Sequence, residues 1–278
     1  MKKILITGAN GQLGADLMDM LSPFYAVKGY GRAQLDITKL DDTINIVRGM
    51  KPNIIINCGA YTNVDKAEQE RDMAYRVNGL ACRNLAVACL ETKSQLIHIS
   101  TDFVYDGKKE EPYIEFDKAN PINIYGHSKL MGEEYIRQIY PRHFILRTSW
   151  LYGQYGNNFV KTMLKLAKEN EILRVVDDQK GTPTYTKDLV RVIRLLMETE
   201  AYGTYHASNN GACTWFEFAS QIFSLYQINK KILSVTTEEL KRSARRPQNS
   251  VMRNYLLELD FGYHLDNWVD ALKRFVKE

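Results

Sequence analysis

Short, unbroken runs of apolar and often β-branched residues recur along the chain as "KILIT", "YAVKGYG", "NIIIN", "QLIHIS", "HFILRTS" and "LRVVDD". Strands buried on both faces read as continuous apolar runs, whereas half-exposed strands alternate. Between them, "QLGADLMDMLS", "LDDTINIVRGM", "DMAYRVNGLACRNLAVACLETK" and "IYGHSKLMGEEYIRQI" carry apolar residues at helical spacing. Strands alternating with helix-length segments predict an α/β protein with a Rossmann-like, doubly wound parallel sheet.

After about Trp150 the alternation breaks. "LYGQYGNNF" and "DQKGTPTYT" read as loops, and "TWFEFASQIFSLY" and "LDNWVDALKRFV" read as later helices. The pattern predicts a nucleotide-binding domain over residues 1–150 and a smaller, mostly helical substrate-binding lobe over 151–278. Residues 186–198 are expected to pack back on the first domain. There is no internal repeat and no low-complexity linker.

With 278 residues, 45% of them hydrophobic and 25% charged, the chain can bury a substantial core, which excludes a disordered protein. The net charge of +4 is dispersed and suits an anionic small molecule as readily as nucleic acid, so it identifies no partner. Cys58, Cys82, Cys89 and Cys213 show no CxxC spacing, and neither a zinc site nor a disulfide framework is expected. The opening "MKKILITGANGQLG" imitates a signal peptide, but its apolar run is too short and ends in glycines. No apolar stretch approaches the roughly 20 residues that span a bilayer. A cytoplasmic protein without membrane or nucleic-acid partners is the expectation.

"ILITGANGQLG" sets Gly8, Gly11 and Gly14 directly after the first strand and across the start of the first helix, with Gln12 and Leu13 between them. That context allows a tight turn and close approach to a pyrophosphate at a helix N-terminus. The spacing GxxGxxG resembles the extended short-chain dehydrogenase/reductases. The second strand ends in "GYGRAQLDI", without an acidic residue for a ribose 2′-hydroxyl. Arg32 stands there instead and suits a 2′-phosphate, so NADPH is favoured, with NADH the alternative if Arg32 is only a solvated loop charge. Asp36 and Ile37 are expected near the adenine. Ala60, Tyr61 and Thr62 of "GAYT", together with Ile99, belong at the rim where the cofactor passes.

"NPINIYGHSKL" places Tyr125 four residues before Lys129, on one face of a beginning helix. Alone, such a pair is common on helix surfaces. "HISTDFVYDG" then brings Ser100, Thr101 and Asp102 to the C-terminal edge of the fourth strand, where open α/β sheets bind ligands. In a short-chain reductase a tyrosine, a lysine one turn later and such a hydroxyl act as one device, which implies Tyr125, Lys129 and Thr101 as the catalytic set. As hydride reaches a carbonyl carbon, the oxygen must be protonated, and a tyrosine of pKa about 10 holds its proton too firmly unless a cation lowers it. Lys129 is expected to supply that charge and to hold the nicotinamide ribose. Thr101 would hydrogen-bond the carbonyl oxygen. Asp102 has two readings, holding a substrate hydroxyl or satisfying backbone N–H groups in its turn.

"GANGQLG", "AYTNVDKAE", "STDFVYDG", "NIYGHSKLMGE", "RTSWLYG", "GNNFVKTML", "DQKGTPTYT" and "RRPQNS" follow in order, and over nearly its whole length the chain resembles the dTDP-4-dehydrorhamnose reductases. That family reduces the C4 keto group of dTDP-4-dehydro-β-L-rhamnose to give dTDP-β-L-rhamnose, a sugar donor for bacterial surface polysaccharides. The resemblance implies that Trp150 flanks the sugar, beside Thr101 and Asp102, although a core aromatic is the alternative. It implies further contacts to the sugar nucleotide from Asn157, Asn158, Thr182 and Arg246, and a bidentate arginine does suit a diphosphate.

Phe103 stands where some relatives have tyrosine, Tyr105 where phenylalanine is common, and Arg245 where serine is frequent. Some members form magnesium-linked dimers through glutamates. The early position here is Asp16, which argues against a metal-linked dimer, and a monomer or homodimer without metal is expected. Two rivals remain: another extended nucleotide-sugar enzyme such as an epimerase or dehydratase, and a non-catalytic NADP-binding regulator like the methionine adenosyltransferase β subunit. Thr101-Asp102-Phe103 lacks the glutamate typical of dehydratases, and the intact catalytic set argues against the regulator.

Overall fold

A computed structural model describes residues 1–278. The first half runs β1 (Lys3–Thr7), α1 (Gln12–Leu21), β2 (Ala26–Tyr30), α2 (Leu40–Met50), β3 (Ile54–Asn57), α3 (Val64–Ala67), α4 (Arg71–Tyr75), α5 (Ala81–Thr92), β4 (Gln95–Thr101), α6 (Ile124–Ile139) and β5 (His143–Thr148). There follow β6 (Leu151–Tyr152), α7 (Phe159–Glu169), β7 (Ile172–Val176), β8 (Lys180–Gly181), β9 (Thr184–Tyr185), α8 (Thr186–Leu196) and β10 (Gly203–His206). The chain ends with β11 (Cys213–Thr214), α9 (Trp215–Leu225), β12 (Lys231–Val235), α10 (Thr237–Leu240), α11 (Tyr255–Phe261) and α12 (Trp268–Lys277).

Six parallel strands form the central sheet in the order β10-β5-β4-β3-β1-β2. Successive residues point to opposite faces: Ile4 and Ile6 pack with Leu13, Leu17 and Leu21 of α1 and with α8, while Leu5 packs with Val47 of α2 and Leu85 of α5. Helices therefore cover both faces, as the unbroken apolar runs require. From β1 the chain moves outward to β2 and then crosses back to β3, so the C-terminal ends of β1 and β3 flank the switch point at which such sheets bind ligands.

The lobe has a separate core of aromatic and aliphatic side chains from α7, α9 and α12, including Phe218, Trp268 and Phe275. The "LRVVDD" run forms β7, which pairs with β12 in the lobe and does not enter the central sheet. The sixth central strand is instead the short "GTYH" of β10, an edge strand whose first two residues are half-buried. The segment expected to pack back is α8, with Leu189, Val190, Val192, Ile193 and Leu196 in the core shared with α1. Tyr205, Leu257 and Leu265 join that core as well, so the two cores do not divide at position 150. No helix is long and apolar enough to cross a membrane.

Two local features place the candidate site. Asn123 caps α6 by accepting from the Gly126 N–H at 2.8 Å, which fixes where the helix begins. A Cβ on Gly126 would sit 2.1 Å from the Phe103 carbonyl, so only glycine lets α6 start against the turn after β4.

Candidate active site

A cavity of about 940 Å³ opens at the switch point. It is lined by Gly8, Gly11, Gln12, Leu13, Gly14, Arg32, Asp36, Ile37, Ala60, Tyr61, Thr62 and Ile99 on the expected cofactor side. Thr101, Asp102, Tyr125, Lys129, Trp150 and Asn157 line it on the reacting side. Residues from β1, β3, β4, β5 and α6 thus converge on one volume, although they are spread over more than half the sequence.

At the cofactor end, a Cβ on Gly14 would meet the Gly8 carbonyl at 2.3 Å, so the loop closes on itself only with glycine there. Helix α1 starts from Gly11 without a side-chain cap, which leaves its first-turn N–H groups to an anion in the cavity. Arg32 is exposed at the rim and makes no ion pair. This cradle fits a dinucleotide with a 2′-phosphate. Asp36 is partly committed elsewhere: its Oδ1 accepts from the Thr38 hydroxyl (2.7 Å) and N–H (3.1 Å), and the hydroxyl bond chiefly holds its carboxyl below the ordinary value.

Asn78, which the sequence reading missed, fixes the opposite wall. It lies in a π-helical turn, Arg76–Leu80, accepts from the Tyr61 N–H (2.8 Å), and donates to the Tyr61 carbonyl (3.0 Å) and Ser128 Oγ (2.9 Å). The signal was available: Asn-Gly in the middle of a helix is unfavourable, and π turns concentrate at functional sites.

Tyr125 and Thr101 face one another across the reacting end. The Tyr125 ring is half-buried, and enclosure of its hydroxyl pushes the phenol up to about 12, with the Thr101 hydroxyl pulling the other way. Phe103 presents its ring edge-on to Tyr125, centroids 5.8 Å apart. Lys129 is 2% exposed, donates from Nζ to the Ile99 carbonyl (2.6 Å) and lies 3.3 Å from His98 Nε2; burial lowers its pKa. The expectation that Lys129 makes Tyr125 more acidic is therefore not met in this arrangement. The ammonium is turned into β4, and burial dominates the phenol. The consequence is a tyrosine that carries its proton at neutral pH.

Asp102 is buried; its Oδ1 accepts from Thr101 Oγ1 at 3.0 Å. Its Oδ2 makes no hydrogen bond of normal geometry, although the Ser250 hydroxyl is close enough to favour the carboxylate. Burial pushes this carboxyl up to about 6. Trp150 has a left-handed backbone (φ 46°) and stacks on Trp215, centroids 3.5 Å apart, while lining the cavity. A bulky residue in that conformation stores strain, as residues at ligand sites often do.

Three expected sugar-nucleotide residues do not line the cavity. Asn158 caps α7 and donates to Gln12 Oε1 (2.9 Å) and the Gly153 carbonyl (2.8 Å). Thr182 is fully buried and donates to the Gly211 carbonyl (2.8 Å). Arg246 is paired with Asp65, at 2.7 Å and 3.0 Å. Asp16 faces inward and accepts from the Thr186 hydroxyl, joining α1 to α8. No group of three or more His, Cys, Asp or Glu side chains is arranged to hold a metal ion.

Across residues 1–278 the chain matches the family described as RmlD substrate binding domain. It is 42% identical over 279 residues to the spore coat polysaccharide biosynthesis protein SpsK of Bacillus subtilis, covering 100% of this chain and 98% of that protein. It is 41% identical over 288 residues to a dTDP-4-dehydrorhamnose reductase of Aggregatibacter actinomycetemcomitans, covering 98% of each. Among solved structures, dTDP-4-dehydrorhamnose reductase from Bacillus anthracis in complex with NADP superposes with a TM-score of 0.97 at 47% identity, covering 99% of both chains.

Proposed function

The chain belongs to the RmlD family of extended short-chain dehydrogenase/reductases, and from that premise we propose that it is an NADPH-dependent reductase of the C4 keto group of dTDP-4-dehydro-β-L-rhamnose. The observation that carries the reading is Tyr125 beside Thr101 and Lys129 in a cavity that also contains a glycine-built anion cradle. The product, dTDP-β-L-rhamnose, would serve bacterial surface polysaccharide synthesis.

Bound NADPH supplies the hydride. The N–H groups at Gln12 and Leu13 would hold its pyrophosphate, since the Gly11 N–H already donates to the Gly8 carbonyl (2.9 Å), and Arg32 its 2′-phosphate. Tyr125 gives its proton to the C4 oxygen as negative charge develops there. The Thr101 hydroxyl, now donating to Asp102, is the second group able to turn to that oxygen. Lys129 would hold the nicotinamide ribose. Trp150, braced by Trp215, offers a flat face to the sugar. All these groups come from one chain, so a monomer or a homodimer would serve, and the reading suits a cytoplasmic protein that takes a dTDP-sugar substrate.

The test is oxidation of NADPH and of NADH with dTDP-4-dehydrorhamnose, the product identified by NMR. Tyr125→Phe should lower kcat by at least about 100-fold, the scale of lost general acid catalysis, with NADPH affinity within about threefold of the parent. A variant that turns over at the parental rate sinks the mechanism. Turnover of a different nucleotide sugar alone sinks the substrate assignment.

A further inference from the structure

Helix α6 begins at a residue whose side chain faces two ways. Asn123 is 4% exposed; its Oδ1 accepts from the Gly126 N–H (2.8 Å), and its Nδ2 donates to the Arg245 carbonyl (2.8 Å) in the lobe segment 241–250. A backbone N–H can only donate and a carbonyl only accept, so the amide has a single orientation and both of its ends are used. Capping alone does not ask for this residue. Serine or aspartate would satisfy the Gly126 N–H as well, but neither offers an acceptor and a donor on separate atoms.

The contact closes a ring around the first turn of α6. Asp65 of α3 accepts from the Ala244 N–H (3.1 Å) and from Arg246 (2.7 Å), the residues on either side of Arg245. Glu68, directly after α3, accepts from the Ile124 N–H (2.9 Å). One short helix thus holds both the lobe segment and the start of α6, and Asn123 joins those two to each other. The Arg245 side chain is exposed and takes no part; its carbonyl makes the link. Tyr125 follows Ile124 directly, and its ring lines the cavity.

We propose, on the reductase reading above, that Asn123 is a positioning residue: by tying the start of α6 to segment 241–250, its amide holds the Tyr125 phenol where it can protonate the sugar oxygen. Proton transfer needs donor and acceptor within about 3 Å, and a displacement of about 1 Å can slow a reaction by about 100-fold. Asn123 does not line the cavity, so it acts on turnover through the phenol and not through contact with either ligand. The two sides of the ring have different work. The Asp65 side borders the cavity wall at Lys66, whereas the Asn123 side borders the acid.

Asn123→Asp keeps the cap and sets an oxygen against the Arg245 carbonyl; Asn123→Ser keeps a cap and adds no charge. Each should lower kcat about tenfold, with the KM for NADPH within about threefold and Tm within about 3 °C of the parent. An unchanged kcat overturns the proposal. The same two substitutions are then made in Tyr125→Phe. Without the phenol there is nothing left to position, so the residual rate should change by less than about twofold. An equal loss in both backgrounds also overturns the proposal, since a general disturbance of the site acts with or without the phenol. Hydrogen–deuterium exchange of the full chain reads the tie without turnover: residues 241–250 should exchange at least about threefold faster in each variant, and unchanged exchange there means that Asn123 does not hold the segment. A parent chain that reduces no dTDP-sugar sinks the reductase reading and the role in reduction with it, while the exchange result still decides whether the tie exists.

Discussion

Asp102 carries a carboxylate into a site that disfavours its charge, and the sign of that penalty can be measured. An aspartate in an unfolded chain titrates near 3.9, whereas burial holds this one at about 6. Near pH 4 and below, the carboxyl is largely neutral in the fold and little is lost; above pH 6 it is ionised in both states and the full penalty applies. Asp102→Asn should therefore raise stability by about 3 kcal/mol at pH 7.5, a gain that has mostly disappeared by pH 4, as read by denaturant unfolding at the two pH values. The same variant resolves its two readings. A kcat/KM for the sugar that falls about tenfold at constant NADPH affinity marks a substrate contact, and an unchanged value leaves Asp102 as the acceptor for its turn. Legibility at this scale followed locality. Tyr125, Lys129 and Thr101 could be read because spacing and strand ends expose them, whereas Asn57 of β3 and His98 of β4, which meet at 3.0 Å, look like ordinary core polar residues in sequence.

Helix α6 is tied to the sheet by a buried ionic group that no periodicity reveals. Glu133, fully buried, accepts from Arg147 on β5 (2.7 Å), Arg137 (2.6 Å) and Ser100 on β4 (2.5 Å). Arg147 reaches the Tyr105 hydroxyl at 2.7 Å, and that hydroxyl contacts His206 of β10 at 2.7 Å. One network thus spans α6, β4, β5 and the edge strand. Burial alone would raise the Glu133 carboxyl, but the two arginines and Ser100 drive it down to about 2. A depressed carboxyl stabilises the fold above its ordinary value of 4.5, and the contribution disappears as pH falls from 4.5 toward 2. Glu133→Gln should cost about 3 to 5 kcal/mol at pH 7, since Arg147 is left buried and unpaired, and should flatten the acid-unfolding profile in that window. The misplaced strand has a reason in composition: β10 is short and carries Thr204 and His206 where an apolar run was sought, while β7, rich in branched residues, pairs inside the lobe. Long helices such as α6 were legible end to end because their periodicity outlasts any one polar exception.

The two cores of the molecule are joined by contacts that the linear order of the chain conceals, and one of them bears on the substrate. Asp65, on α3, gathers Arg246 (2.7 Å), Arg242 (3.6 Å), the Ala244 N–H (3.1 Å) and the Ser243 hydroxyl (3.2 Å), strapping the segment after α10 across the domain next to cavity-lining Lys66. The Arg246 bond chiefly holds the Asp65 carboxyl well below the usual range, so the strap stays ionic throughout the neutral pH range. An arginine expected at a diphosphate is thus engaged by a carboxylate of its own chain. If its work is to hold the strap, Asp65→Asn and Arg246→Gln remove the same interaction and act alike. Each should lower Tm by about 2 to 4 °C and raise the KM for the dTDP-sugar severalfold at unchanged kcat, because the pair is partly solvated and worth about 1 kcal/mol. If Arg246 instead binds the diphosphate, Asp65→Asn frees it and the KM falls while Arg246→Gln alone raises it. The placement of Arg246 outside the cavity lining favours the first pattern, and a double-mutant cycle in KM separates them: strongly non-additive when the two residues serve one strap, opposed in sign when they compete.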